Sequence, residues 1–294
     1  MIIETNALTK NYGKKTALRE VNFTIGRGVF GLLGPNGAGK STLMKILSCL
    51  LKPTSGTARV YEHDTVKDPS EVRKLIGVIP QEYNLYNRLN PTEFLEYMLL
   101  LSGKDLNKKH IEEMLERVNL SSVKKQKIGS FSGGMKQRLV VAQALVHNPQ
   151  VILADEPTAG LDPEERVRFR NLFSEIGLEK TVLLSTHITE DITSSTKNLF
   201  VLNQGSLVFS GQVQDFVHKA EGNIWTTVVK NQAWEAFKGE NLIISFMILP
   251  ESNDIEVRYV PGKRTPAEGS HAINPTLEDA YMLTIHQNDW KEAS

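Results

Sequence analysis

In Gly34-Pro35-Asn36-Gly37-Ala38-Gly39-Lys40-Ser41-Thr42, the first eight residues fit the spacing G-x-x-x-x-G-K-[ST]. Glycines at these positions let the backbone curl so that successive N–H groups point inward at phosphate oxygens. A helix starting there adds the partial positive charge of its N-terminus. Lys40 is then placed to reach β- and γ-phosphates, and Ser41 to ligate Mg²⁺. A second pair of interest is Asp155-Glu156, after the apolar run Val151-Ile152-Leu153-Ala154. Taken alone, such a pair could equally be the acid that caps a helix. Combined with a phosphate loop it suits other work: Asp155 holding Mg²⁺ directly or through water, and Glu156 polarising an attacking water as general base.

The surrounding pattern supplies elements to carry these residues. Val29-Phe30-Gly31-Leu32-Leu33 reads as a strand running into the glycine loop. Leu43, Ile46, Leu47, Leu50 and Leu51 then follow helical spacing from Lys40 until Lys52-Pro53. Val151 to Ala154 and Thr181 to Ser185 are apolar runs without alternation, as expected of strands buried on both faces of a parallel sheet, with a helix from Pro163 to Ile176 between them. Ile2 to Lys10 and Ala17 to Ile25 alternate instead, like edge strands of an antiparallel sheet. Ala58 to Tyr61 and Ile76 to Ile79 read as further strands, and Thr92 to about Leu145 as mostly helix. This order gives an α/β core with right-handed crossovers. After about His218 the texture changes to short strands (Ile224 to Val229, Leu242 to Leu249, Ile255 to Val260), a helix near Ala233-Trp234-Glu235 and a turn-rich stretch from Pro261 to His271. This reads as a small α+β appendage.

Composition excludes several classes. Lys+Arg and Asp+Glu both number 34, so the net charge of zero argues against bulk electrostatic coating of nucleic acid or an anionic membrane. The one cysteine, Cys49, rules out an intramolecular disulfide and a cysteine-based metal cluster. No apolar stretch approaches the roughly 20 residues that a membrane span needs. Work at a membrane would therefore require a second chain.

The run Phe131-Ser132-Gly133-Gly134-Met135-Lys136-Gln137-Arg138 narrows the field. With the motifs above it resembles the ATP-binding cassette (ABC) ATPases, whose signature is Ser-Gly-Gly at a helix start followed by Gln. The resemblance covers about residues 1 to 217. It implies a P-loop NTPase fold with a RecA-like core, an antiparallel β subdomain and a helical subdomain at about 82–147, the accessory domain occupying 218–294. It also implies site roles. Tyr12 matches the aromatic that stacks on adenine, and Gln81 the glutamine that senses Mg²⁺ and water. Ser132, Gly133 and Gly134 match the signature that caps the γ-phosphate held by a second cassette. Asp162, in Ala159-Gly160-Leu161-Asp162, matches the loop across that dimer interface, and His187 the switch histidine. Met135 departs from the commonest pattern, which has Gln there. A thioether replaces an amide, leaving Ser132 and the backbone N–H groups in place. Methionine at this position, together with Asn274-Pro275-Thr276-Leu277-Glu278-Asp279-Ala280-Tyr281, resembles a branch of bacterial drug, bacteriocin and sodium exporters.

The resemblance thus implies an ATPase using ATP and Mg²⁺, paired as a homodimer or heterodimer of cassettes. Its partner would be a transmembrane permease encoded as a separate chain, which would hold it at the cytoplasmic face of the membrane. Tyr83, Leu85, Tyr86, Leu89 and Phe94 form an apolar cluster after Gln81 that suits either a groove for a partner's helix or local core packing. The alternative is a soluble ABC ATPase acting on ribosomes or DNA. Ribosome-acting relatives usually carry two cassettes per chain, and this chain has one phosphate loop. DNA-repair relatives carry a long coiled coil between the positions of Gln81 and Ser132, which lie only 132 − 81 = 51 apart here.

Overall fold

The computed structural model describes residues 1–262 and 265–292, with side chains to His286. Lys263 and Arg264, within the stretch expected to be turn-rich, lie outside the described residues. By its contacts the chain divides into Met1–Ser210 and Gly211–Ser294. The first unit runs β1 (Ile3–Tyr12), β2 (Lys15–Ile25), β3 (Gly28–Leu33), α1 (Lys40–Leu47), β4 (Ser55–Val60), β5 (His63–Asp64), α2 (Pro69–Leu75), β6 (Ile76–Ile79), α3 (Pro91–Leu101), α4 (Lys108–Arg117), α5 (Gly133–Leu145), β7 (Val151–Asp155), α6 (Pro163–Glu179), β8 (Thr181–Thr186), α7 (Thr189–Ser195), β9 (Asn198–Asn203) and β10 (Ser206–Gln212), which straddles the division.

Six strands form the central sheet in the order β10-β9-β3-β8-β7-β6, with β3, β6, β7, β8 and β9 linked by parallel pairings. The unbroken apolar runs of β7 and β8 are explained by what covers each face. Val151, Leu153 and Leu183 point into one core, shared with α1 and the antiparallel sheet. Ile152, Ala154, Val182 and Leu184 point into the other, shared with α3, α4, α5 and α6. Both faces need apolar side chains, so alternation disappears.

The antiparallel sheet has the order β2-β1-β4-β5. Its first strand is interior, pairing with β2 on one side and β4 on the other, rather than at the edge. The alternation in β1 records a sheet solvated on one face, which edge and interior strands share. A second departure is the end of α1. The apolar spacing runs on to Leu51, yet the helix stops at Leu47; Cys49 takes a left-handed conformation (φ 59°), and the amides of Leu50 and Leu51 both donate to Lys45 O. Leu50 is left 73% exposed.

The second unit comprises α8 (Val213–His218), β11 (Trp225–Val229), α9 (Trp234–Glu240), β12 (Asn241–Ile248), β13 (Ile255–Pro261), β14 (His271–Ala272) and α10 (Leu277–Glu292). The sequence places its change of texture after about His218, whereas α8 already groups with this unit. Its sheet has the order β12-β13-β11-β14, and Trp234, Val229, Ile255, Val257 and Tyr259 make its core. Thr276 Oγ1 accepts from the Asp279 amide at 3.3 Å and so caps α10. Asp279, in the first turn of α10, is fully buried: Arg258 Nε donates to its Oδ1 at 2.6 Å, and Arg258 Nη2 binds its Oδ2. No helix among the described residues is long and apolar enough to cross a membrane.

Candidate active site

The glycine loop links the carboxyl end of β3 to the start of α1, the place where parallel sheets hold ligands. Gly39 is the N-cap residue, at φ 108°, and a Cβ there would lie 2.4 Å from Ala17 O, so only glycine fits. No side chain caps α1, so the amides of its first turn remain directed at the cleft beyond. Lys40 is buried, and its ammonium folds back to donate to Gly34 O at 2.6 Å.

Asp155 ends β7, next to β8, and accepts from Ser185 Oγ at 2.8 Å. Glu156 then turns into the left-handed region (φ 51°), a conformation costing a residue with a Cβ about 1–2 kcal/mol. That turn aims its carboxylate at the loop. Glu156 Oε1 lies 3.3 Å from Lys40 Nζ, and Oε2 lies 2.6 Å from His187 Nδ1. Three residues from three separate stretches thus meet: Lys40 and Glu156 buried, His187 half exposed.

A cleft of about 480 Å³ lies over this group. Its lining includes Tyr12, Pro35, Asn36, Gly37, Gly39, Lys40, Ser41, Thr42, Gln81 and Glu156. Gly34 and Ala38 are buried in the loop beneath. Tyr12 stands exposed, with Lys10 Nζ 5.4 Å from its ring centroid. Lys15, the first residue of β2, also lines the cleft; as one of two adjacent lysines after Gly13, ahead of the alternating stretch, it gave no signal in the sequence. A second cleft of about 370 Å³ is lined in part by Ser41, Gln81 and Asp155. Hydroxyl, amide and carboxylate oxygens are a hard donor set. This fits Mg²⁺, which takes few protein oxygens and fills its shell with phosphate and water.

Ser132, Gly133, Gly134 and Asp162 do not line either cleft. Ser132 is the N-cap of α5, its hydroxyl accepting from the Met135 amide at 3.2 Å, and both it and Gly133 are exposed. Asp162 caps α6 in the same way, accepting from the Glu165 amide at 2.9 Å. In the segment after Gln81, Phe94 is core at 1% exposure and Tyr83, Leu85 and Leu89 pack partly against that core, but Tyr86 (53%) and Tyr97 (41%) face outward with their rings edge to face.

The family model described as ABC transporter matches residues 18–159. The uncharacterized ABC transporter ATP-binding protein YxlF of Bacillus subtilis is 35% identical over 300 residues, covering 97% of this chain and 100% of the relative. The linearmycin resistance ATP-binding protein LnrL of the same organism is 32% identical over 260 residues, 87% of this chain and 82% of the relative. Among solved structures, a dimeric bacterial ABC transporter cassette superposes with a TM-score of 0.66 at 29% identity, covering 72% of this chain and 98% of the cassette. The same cassette in a dimeric post-hydrolysis state bound to ADP and Pi gives 0.65, at the same identity and coverage.

Proposed function

The chain belongs to the ABC transporter ATP-binding proteins and is an ATPase, and from that premise we propose that it is the hydrolytic subunit of an exporter that drives a separate membrane-embedded permease. The observation that carries the hydrolytic reading is the meeting of Lys40, Glu156 and His187 at the mouth of the glycine loop. The amides at the start of α1 and the Lys40 ammonium grip the β- and γ-phosphates. Tyr12 offers a flat face to the purine. Ser41, Gln81 and Asp155 would hold Mg²⁺, which when bound would supply charge neutralisation on the phosphates. Glu156 accepts a proton from the attacking water, and His187, hydrogen-bonded to that carboxylate, keeps it aimed and contacts the γ-phosphate.

Ser132, Gly133, Gly134 and Asp162 lie away from the cleft because their ligand is the partner cassette's nucleotide. Two copies, or this chain and a related cassette, close head to tail on two ATP molecules and open after hydrolysis. Tyr86 and Tyr97, beyond Gln81, offer the permease an apolar surface at the cytoplasmic face of the membrane. Export is supported by Met135, by the segment Asn274 to Tyr281 and by a relative named as a linearmycin resistance ATP-binding protein.

Glu156→Gln tests the core of this reading. It should lower ATP turnover about a thousandfold while ATP binding persists and an ATP-bound dimer accumulates in size-exclusion chromatography. Unchanged turnover would take the base role from Glu156. Purification from detergent extracts should bring a polytopic membrane protein along; ribosomes or DNA in its place would favour the soluble alternative.

A further inference from the structure

A residue with a Cβ keeps the left-handed conformation of Glu156 only where its surroundings impose it. On one side the Glu156 amide donates to Ser185 O at 2.9 Å. On the other side two buried hydrogen bonds hold the residues that follow. Gln137 Nε2, on α5, donates to the Pro157 carbonyl oxygen at 2.9 Å. Thr158 Oγ1 donates to Asp191 Oδ2, on α7, at 2.6 Å. Gln137, Thr158 and Asp191 are all buried, and Asp191 Oδ1 has no hydrogen-bond partner among the described residues, so the Thr158 hydroxyl is what meets this carboxylate. A core spends buried polar groups on such contacts where a specific geometry must be held.

The two anchors stand on telling elements. Gln137 lies in the second turn of the helix that Ser132 opens, and that helix packs so closely on β6 that a Cβ on Gly77 would lie 2.1 Å from Ala144 O. Asp191 is on the helix that follows His187.

We propose that Gln137 and Asp191 are positioning residues for hydrolysis, clamping Pro157 and Thr158 so that the Glu156 carboxylate stays at its working place. The proposal rests on the reading above, in which the Ser132 turn caps the partner's nucleotide. Each α5 then touches the partner's triphosphate at its tip and steers its own protomer's base one turn later. The Gln137–Pro157 hydrogen bond couples the two sites of the dimer.

Gln137→Met removes the donor at similar volume. Asp191→Leu removes the acceptor for Thr158, whereas Asp191→Asn keeps an amide oxygen there. In the full-length chain, Gln137→Met and Asp191→Leu should lower kcat about tenfold or more, with the Kd of the isolated chain for ATP and its Tm little changed. Asp191→Asn should restore most of the rate.

Mixed dimers, selected with two affinity tags and carrying Glu156→Gln in one protomer, separate the possible roles. Gln137→Met on the Glu156→Gln chain should add nothing to the deficit, because that base is already silent. On the opposite chain it should cut the remaining turnover about tenfold. The reverse pattern would mean that Gln137 acts through the cap on the partner's nucleotide, and would overturn the proposal. So would equal losses in both arrangements, or losses that track a fall in Tm. Full turnover in the Glu156→Gln homodimer, run as the control, would instead remove the base itself and with it the premise.

Discussion

Two helix starts in this molecule, those of α1 and α5, follow glycine-containing turns and differ in how their first amides are met. At α1 the cap is Gly39, which has no side chain to offer, and the buried ammonium of Lys40 adds a full positive charge. At α5 the cap is Ser132, whose hydroxyl already accepts from Met135, and the turn is exposed. The first end has the charge and the free amides to grip a triphosphate within one chain. The second keeps a hydroxyl proton and glycine amides to donate but has part of its own valence filled, which suits a weaker contact made only when another surface arrives. On the proposed reading, a glycine cap and a serine cap mark a grip and a lid.

Lys40→Ala should break this contrast most severely. Loss of a charge-assisted contact should weaken ATP binding to the isolated chain by about 3 kcal/mol, roughly a hundredfold in Kd by calorimetry. Unchanged affinity would mean that α1 is not the grip. Ser132→Ala should act on the other side of the comparison, lowering kcat about tenfold and weakening ATP-driven dimerisation while the Kd of the dilute chain stays within about twofold. A matching loss of affinity in the dilute chain would place both helix ends at one nucleotide. Met135→Gln should be the mildest, within about threefold in kcat, because the Met135 contact to Ser132 is made by its backbone amide. A larger change would show that the side chain, and not only the turn, contributes to the lid.

The strand–loop–helix fold around the glycine loop and the shape of that loop were legible because both are local. The glycine spacing, the apolar run before it and the acids at the end of β7 specify their geometry within a few residues of chain. The strands β7 and β8 announced their burial on both faces by lacking alternation. What stayed hidden depends on partners distant in sequence. Nothing near Thr158 points to Asp191, and nothing near Gln137 points to Pro157; only the fold brings them together. Lys40 and Glu156 were each assigned a role, but their direct contact could not be read from either motif. Asp279 stands in the first turn of α10, and only its burial against Arg258, which arrives from β13, could not be read from its own segment. Phe94 and Tyr86 look alike in sequence, and packing alone sends one inward and the other out.

The Arg258–Asp279 pair makes the second unit sensitive to the integrity of its backbone. Asp279 is withdrawn from water, and among the described residues the guanidinium and the Thr276 turn compensate it. Losing one partner of such a pair costs about 3–5 kcal/mol, a large share of what a small unit has to spare. A cut that let α10 drift away would carry Asp279 into water and leave Arg258 on the sheet without its carboxylate, so the second unit would lose the contact that pins its last helix.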